Sequence, residues 1–332
     1  MTRTSVHLVN RPSGMVEPSD FEVREGDIPS PAEGEVLVKV SHISLDPAMR
    51  GWMNEGKSYI APVGLGDVMR AGAVGEVLES GAAGFQKGDW VQGTLGVQTH
   101  ALVKGNELTK VDTSSVPPER YLSALGMPGL TAYFGLLEVG ALKEGETVVV
   151  SAASGAVGAI VCQIAKLKGA RVVGLAGSEE KCAYLTDTLG IDAAINYKTE
   201  NVTKAMAAAC PKGVDVYFDN VGGEILEAAM SLLARHGRIV ICGAISGYND
   251  FGAIRGPRNY MNLLVQHGRM EGFVVFDYHD RYGEGVAQLA KWLSEGKIEA
   301  KEDVREGGVR RYVDTLNLLF SGENFGKLVL KA

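Results

Sequence analysis

Three valines in a row, Val148-Val149-Val150, run straight into the small residues Ser151-Ala152-Ala153-Ser154-Gly155-Ala156-Val157-Gly158. Beyond them Val157, Ile160, Val161, Ile164 and Leu167 recur at helical spacing. Residues 155–168 are therefore predicted to form an amphipathic helix lying on a sheet, stopped by Gly169. A buried strand that turns into a helix through residues with little side chain brings main-chain N–H groups and the positive end of the helix dipole to one point. That point suits a pyrophosphate. Ala152, Gly155 and Gly158 keep the three-residue step of a dinucleotide-binding turn. Such a turn commits the chain around it to alternating strands and helices, because a parallel neighbour strand is reached only through a crossover.

The second half follows that rhythm, with strands predicted at residues 147–152, 171–176, 193–196, 214–219, 238–242 and 271–275 and a late helix at 282–295. Six strands suit a doubly wound parallel sheet. The first half differs. From Gly34 to Val103, short β-rich runs such as Glu35-Val36-Leu37-Val38-Lys39-Val40 are broken by Gly and Pro, as in a small β-barrel-like domain. The tail Gly326-Lys327-Leu328-Val329-Leu330 reads as a strand able to return to that domain. Two domains also follow from length, since 332 residues exceed what one core usually supports. The expected division is 1–125 joined by 300–332, and 126–299.

A carboxylate at the end of the second strand, about twenty residues past the turn, would hold the ribose 2′-hydroxyl of NAD. The chain has Gly174-Leu175-Ala176-Gly177-Ser178 there, and Lys181 follows one turn later, so a 2′-phosphate is met by a cation and NADPH is favoured over NADH. Glu179 and Glu180 oppose this unless, at a helix start, they complement the dipole and face water. The alternative is that Lys181 is only a solvated helix residue.

A net charge of −7 and an isoelectric point near 5.5 leave no broad basic footprint, which argues against a nucleic-acid partner. No apolar stretch is long enough to cross a bilayer, and the opening residues have no signal-peptide run, so a cytoplasmic location is expected. The four cysteines, Cys162, Cys182, Cys210 and Cys242, are widely spaced in apolar or helical surroundings and read as buried thiols.

With these residues in view the chain resembles the zinc-independent medium-chain dehydrogenase/reductases, in the branch of the alkenal, prostaglandin and curcumin reductases. The likeness runs nearly end to end. It includes Tyr59-Ile60-Ala61-Pro62-Val63-Gly64, Gly66-Asp67-Val68-Met69-Arg70, Gly126-Met127-Pro128-Gly129-Leu130-Thr131-Ala132-Tyr133, the turn itself, Phe218-Asp219-Asn220-Val221-Gly222-Gly223 and Arg269-Met270-Glu271-Gly272-Phe273.

The resemblance implies an α/β fold with a GroES-like β-rich catalytic domain and a Rossmann NADP-binding domain, a homodimer, and NADPH-dependent reduction of the double bond in α,β-unsaturated ketones and aldehydes. It implies that Lys181 and Tyr197 lie at the 2′-phosphate and Asn324 at the nicotinamide. The nucleotide set expected with them is Met127, Thr131, Ala152, Ser154, Gly155, Ala156, Val157, Gly177, Ser178, Asn220, Cys242, Ala244, Ile245, Tyr248, Phe273, Val275 and Gly326. Several relatives have a tyrosine where this chain has Val265. A role there does not transfer, and whether nearby Tyr260 replaces it stays open.

Zinc-dependent members of the superfamily need a cysteine early in the catalytic domain, then a histidine and a second cysteine. Here that first region reads Ser41-His42-Ile43-Ser44-Leu45-Asp46-Pro47, and all four cysteines fall later, so no metal is expected. His42 is expected to be a packed or hydrogen-bonded loop histidine. Hydride transfer to the β-carbon of an enone then leaves negative charge on oxygen to be met by hydroxyls, for which Tyr59 and Tyr248 are the candidates. Two other readings remain: reduction of quinones on the same fold, and a catalytically silent NADPH-binding protein. Pocket width depends on loops such as residues 250–260, whose shape the sequence does not give.

Overall fold

The structure is a computed structural model that describes residues 2–250, 252 and 254–332. Phe251 and Ala253, in the loop just named, lie outside the described residues, as does Met1. The chain forms two compact units, one of residues up to Leu122 together with Glu302–Ala332, the other Ser123–Lys301.

In the first unit β1 (Thr2–Leu8) and β2 (Phe21–Asp27) make an antiparallel ribbon. The main sheet is built around β3 (Glu35–Ser44), with β4 (Gly72–Ser80), β5 (Trp90–Thr94), β6 (His100–Lys104) and β7 (Thr109–Lys110). Along β3, Val36, Leu37, Val38 and Val40 are buried and only Lys39 is exposed, so this central strand is covered on both faces along most of its length. The short helix α1 (Ala48–Trp52) follows β3. His42 is thus a strand residue rather than a loop residue.

The second unit begins with α2 (Met127–Phe134) and alternates from there: β8 (Thr147–Val150), α3 (Gly158–Leu167), β9 (Arg171–Ala176), α4 (Glu179–Ala183), β10 (Ala193–Asn196), α5 (Val202–Ala209), β11 (Val214–Asp219), α6 (Gly223–Ser231) and β12 (Leu233–Ile241). After α7 (Met261–Val265), β13 (Arg269–Gly272) and α8 (Tyr282–Ser294) the chain leaves. All six strands are parallel, in the order β10-β9-β8-β11-β12-β13. The order reverses between β8 and β11, and in such sheets ligands bind beyond the carboxyl ends of the strands at that switch point.

Several features differ from the sequence expectation, among them the starts of β12, at Leu233 rather than 238, and of α3, at Gly158 rather than 155. β8 stops at Val150 because the turn has begun by Ala152, whose φ of +48° ends extended pairing. β13 starts two and ends three residues earlier than expected, since Phe273 turns its ring inward against Phe218, 6.5 Å between centroids, and over Gly135. α3 is not amphipathic: every residue from Gly158 to Ala165 is buried, and Leu167 is exposed. Its one buried polar side chain, Gln163, is satisfied by Ala159 O and by both the amide and the carbonyl of Glu299.

The chain then rejoins the first unit through β14 (Glu302–Arg305), α9 (Tyr312–Ser321) and β15 (Lys327–Lys331). β15 runs antiparallel to β3 and parallel to β14, as the apolar tail suggested.

Candidate functional site

The turn after β8 is held by close main-chain packing. A Cβ on Gly158 would lie 2.3 Å from the Ala152 carbonyl oxygen, so only glycine lets α3 start against the turn. The Gly155 amide donates to that same oxygen at 2.9 Å. The amides of Ala159, Ile160 and Val161 donate to the carbonyls of Gly155 and Val157, so it is the turn ahead of them that brings main-chain amides to the positive end of the helix dipole, the cradle that a diphosphate needs.

Beneath the turn lies a buried network that the sequence reading missed. Asp219 Oδ1, at the end of β11, accepts from Tyr217 OH at 2.9 Å, Ser151 Oγ at 3.2 Å, and the amides of Val221 and Gly222 at 3.0 and 2.8 Å. Ser151 in turn accepts from the Asn220 amide, and Asn220 Nδ2 donates to the Ser151 carbonyl at 2.7 Å. The network ties the mouths of β8 and β11 together at the switch point. Burial pushes the Asp219 carboxyl up, with the two amides opposing the shift. The sequence signal was there, polar residues closing two apolar strands, but their pairing across some seventy residues was not.

At the other end of the turn, Ser178 caps α4 by accepting the Lys181 amide at 3.3 Å. Tyr197, just past β10, lays its hydroxyl over Gly177, where a Cβ would come within 2.7 Å of it. Glu179, whose carboxylate would oppose a phosphate, accepts from Asn196 Nδ2 at 2.6 Å. Gly177, Ser178, Lys181 and Tyr197 are therefore gathered around one end of β9.

Past β12, Cys242, Ala244 and Ile245 follow the end of β11. The Cys242 amide donates to Asp219 O at 2.9 Å and the Ile245 amide to Asn220 O at 3.2 Å. Tyr248 folds back over this segment, its hydroxyl accepting the Ala244 amide at 3.2 Å. Met127 opens α2, half-exposed, and Thr131 lies one turn on. The Phe273 ring is occupied in the core, and the Val275 carbonyl accepts from Tyr282 OH at 3.1 Å. Tyr260 and Val265 are exposed on and beside α7.

The first unit holds Tyr59, Asn324 and Gly326. Asn324 Nδ2 donates to the Gly326 carbonyl at 3.0 Å, and Tyr59 is 54% exposed with its hydroxyl against the Trp52 indole.

All four cysteines are free. Cys162 and Cys210 are buried, but Cys182 on α4 and Cys242 at the mouth of the sheet are partly exposed, which corrects the expectation of four buried thiols. Burial pushes every one of them up, to about 11 at Cys210 and to about 12 at Cys242, where Asp219 adds to the effect.

A parallel sheet with a reversal in strand order, a glycine-tight turn at that reversal, and a β-rich unit in the same chain define a two-domain dehydrogenase fold. A family profile described as the N-terminal domain of an oxidoreductase matches residues 4–111, and one described as a zinc-binding dehydrogenase matches residues 156–292. The chain is 42% identical to the NADPH-dependent curcumin reductase of Escherichia coli, covering 98% of this chain and 95% of the relative. It is 40% identical to an NADP-dependent 2-alkenal reductase of Nicotiana tabacum, covering 99% and 97%. The crystal structure of CurA from Vibrio vulnificus in complex with NADPH superposes with a TM-score of 0.94 at 42% identity, covering 99% of each chain. The chain belongs to the medium-chain dehydrogenase/reductases, in the branch of the curcumin, prostaglandin and 2-alkenal reductases.

The zinc in that second description does not fit these residues. Among the described residues no group of three or more His, Cys, Asp or Glu side chains is placed to hold a metal ion. His42 Nδ1 meets Ser41 Oγ at 2.9 Å, and Asp46 accepts Lys327 Nζ at 2.6 Å and Ser44 Oγ at 2.5 Å.

Proposed function

We propose that the protein reduces the carbon–carbon double bond of α,β-unsaturated ketones and aldehydes with NADPH. The observation that carries this reading is the end of β9: a lysine on a capped helix, a tyrosine over glycine, and the Glu179 carboxylate engaged by Asn196. That arrangement fits a 2′-phosphate, and the turn beside it fits the diphosphate. The Escherichia coli and tobacco relatives, named for curcumin and 2-alkenal reduction, supply the substrate class.

NADPH, when bound, supplies hydride to the β-carbon and leaves as NADP⁺. The residues do the rest. The amides of Ser154, Ala156 and Val157 orient the diphosphate, Lys181 and Tyr197 hold the 2′-phosphate, and the Asp219 network keeps the turn in register with the nicotinamide side. Tyr248, whose hydroxyl accepts the Ala244 amide, has the role of donor to a substrate oxygen that gathers charge. Tyr59 has the same role in the first unit. A solvent proton, passed through a hydroxyl to the α-carbon, completes the saturated carbonyl. The reading uses no metal, and a cytoplasmic location goes with it. Asn324 and the Cys242–Ile245 segment belong to the nicotinamide side.

A homodimer also goes with this reading. β13 is the edge of the six-stranded sheet and all its residues are exposed, while Leu264 and Val265 on the preceding helix are 69% and 64% exposed. An open strand edge beside an apolar patch is the surface a second copy covers. Small-angle scattering at micromolar concentration is expected to give twice the chain mass, and a monomer mass would reject it.

The deciding assay follows NADPH and NADH consumption with crotonaldehyde, a linear enone and benzoquinone, and identifies the products. Saturated carbonyl products formed with NADPH are expected. Turnover of benzoquinone alone would replace the reading with quinone reduction, and inertness toward all three would make the protein a binding module.

A further inference from the structure

Two acids stand close to the end of β9, the point read above as the place of the 2′-phosphate. Glu179 opens α4 one residue after the Ser178 cap, and Glu200 follows β10; both are exposed. In dinucleotide-binding folds a carboxylate at this point accepts the ribose 2′-hydroxyl of NAD and opposes the 2′-phosphate of NADP. Where the Glu179 carboxylate is held therefore bears on which nucleotide binds.

Both acids are tied to one residue. Asn196, the last residue of β10 and only 4% exposed, donates through Nδ2 to Glu179 Oε1 at 2.6 Å and through its main-chain amide to Glu200 Oε1 at 2.7 Å. Its side chain is oriented from behind. Oδ1 accepts the Lys198 amide at 3.2 Å, and a main-chain N–H only donates, so the side-chain oxygen is taken up there and the NH2 group is left for the carboxylate. Parallel pairing of Asn196 with Ala176 sets this donor beside the end of β9. Burial pushes the Cys182 thiol up, and Glu179 and Glu200 add to the shift, so both charges are felt on the Cys182 side of α4. Fixing an exposed glutamate costs rotamer entropy, and a surface contact returns little. The arrangement gains most where the charge has to be kept from a ligand.

We propose that Asn196 sets the choice of NADPH over NADH, by holding the Glu179 carboxylate at the end of β10 and out of the place taken by the 2′-phosphate. The proposal rests on the reading of the end of β9 given above. Asn196 acts through Glu179 and is a positioning residue. Once the carboxylate is released, a 2′-hydroxyl gains an acceptor and a 2′-phosphate meets a like charge.

The test uses adenosine 2′,5′-bisphosphate and adenosine 5′-monophosphate, which differ by the 2′-phosphate alone and occupy only the adenosine end of the site. Calorimetry on the full chain at low ionic strength gives both dissociation constants for the parent, Asn196→Ala, Glu179→Gln and the double variant. The parent is expected to bind the bisphosphate at least about tenfold more tightly. Asn196→Ala is expected to lose about fivefold of that preference, the size of one exposed charge interaction. Glu179→Gln should keep the preference, and the double variant should keep it too, because no charge is left to release. Glu179→Asp, at an exposed position, draws the carboxylate back from Asn196 by one methylene with the core untouched, and should lose preference as Asn196→Ala does.

The proposal is overturned if Asn196→Ala keeps the full preference, if the double variant loses as much as Asn196→Ala, or if Glu179→Gln loses it. Should Asn196→Ala fail to fold in a thermal melt, full preference in Glu179→Asp overturns it. A parent that binds both nucleotides equally removes the 2′-phosphate reading itself. A preference present in the parent and intact in Asn196→Ala removes only the role of Asn196.

Discussion

Tyr248 and Lys181 sit at opposite ends of the proposed nucleotide site and fail in different ways when altered. Tyr248 accepts the Ala244 amide just past β12, so Tyr248→Phe removes the hydroxyl proposed to donate to the substrate oxygen and, with it, the acceptor of that amide. Turnover is expected to drop on the order of 10²-fold, the usual cost of one such donor, with little change in KM for NADPH; unchanged turnover would take the hydroxyl out of the chemistry. Lys181→Ala tests the other end. A lysine about 4 Å from a phosphate is worth about 4 kcal/mol at an effective dielectric of 20, and screening at the surface leaves roughly 1–2 of that. KM for NADPH should rise about tenfold or more while KM for NADH stays as it was, and a parallel rise in both would place the lysine elsewhere. The place of Lys181 just beyond β9 was legible in the sequence, because a short-range pattern marks it: a strand end without an acid, followed by a cation. The engagement of Glu179 by Asn196 was not, since the two residues meet only once β10 lies beside β9.

The turn and helix α3 form the element on which the site is built. Gly158→Ala would press a methyl group into the Ala152 carbonyl. Because both partners are main chain, neither can swing aside. A loss of about 1–3 kcal/mol in stability is expected from overpacking, with weakened NADPH binding beside it, whereas Gly155→Ala, whose Cβ would sit 3.1 Å from the same oxygen, should be milder. Equal behaviour of the two variants in urea unfolding and NADPH titration would contradict this account. The turn, the alternation of strands and helices, and the returning β15 could all be read from the sequence, because each depends on local period or on one apolar run. The burial of α3 on every side was misread. Val157, Ile160, Val161 and Ile164 mark one face, but Gly158, Ala159, Cys162 and Ala165 fill the rest with small residues, the sign of a helix covered all round. β13 was displaced in the reading because Phe273 and Val275 continue an apolar run whose rings and carbonyls serve the core instead of the sheet.

At the scale of the whole molecule, a chain that leaves a β-rich unit, builds a parallel sheet and comes home through β15 was foreseeable from the change of strand and helix rhythm along the sequence and from its apolar tail. The inner network of Ser151, Tyr217 and Asp219 was not, because no residue in it is unusual until the others are beside it. One property belongs to the molecule as a whole. Enones and alkenals are soft electrophiles that add to thiolates, so an enzyme that concentrates them exposes itself to self-alkylation. Here every sulfur is kept as the unreactive thiol, with Cys210 at about 11 and Cys242 at about 12 against an ordinary 9. A thiol raised in the native state favours that state below its unfolded pKa and gives the benefit back as pH climbs through the native value. Melting temperature should therefore decline from about pH 9 upward. Intact-mass spectra after incubation with crotonaldehyde at pH 7.5 should show an unmodified chain, and rapid adduct formation at Cys242 would refute this. The same burial that packs the sheet would then also be what lets the catalyst outlive its own reagents.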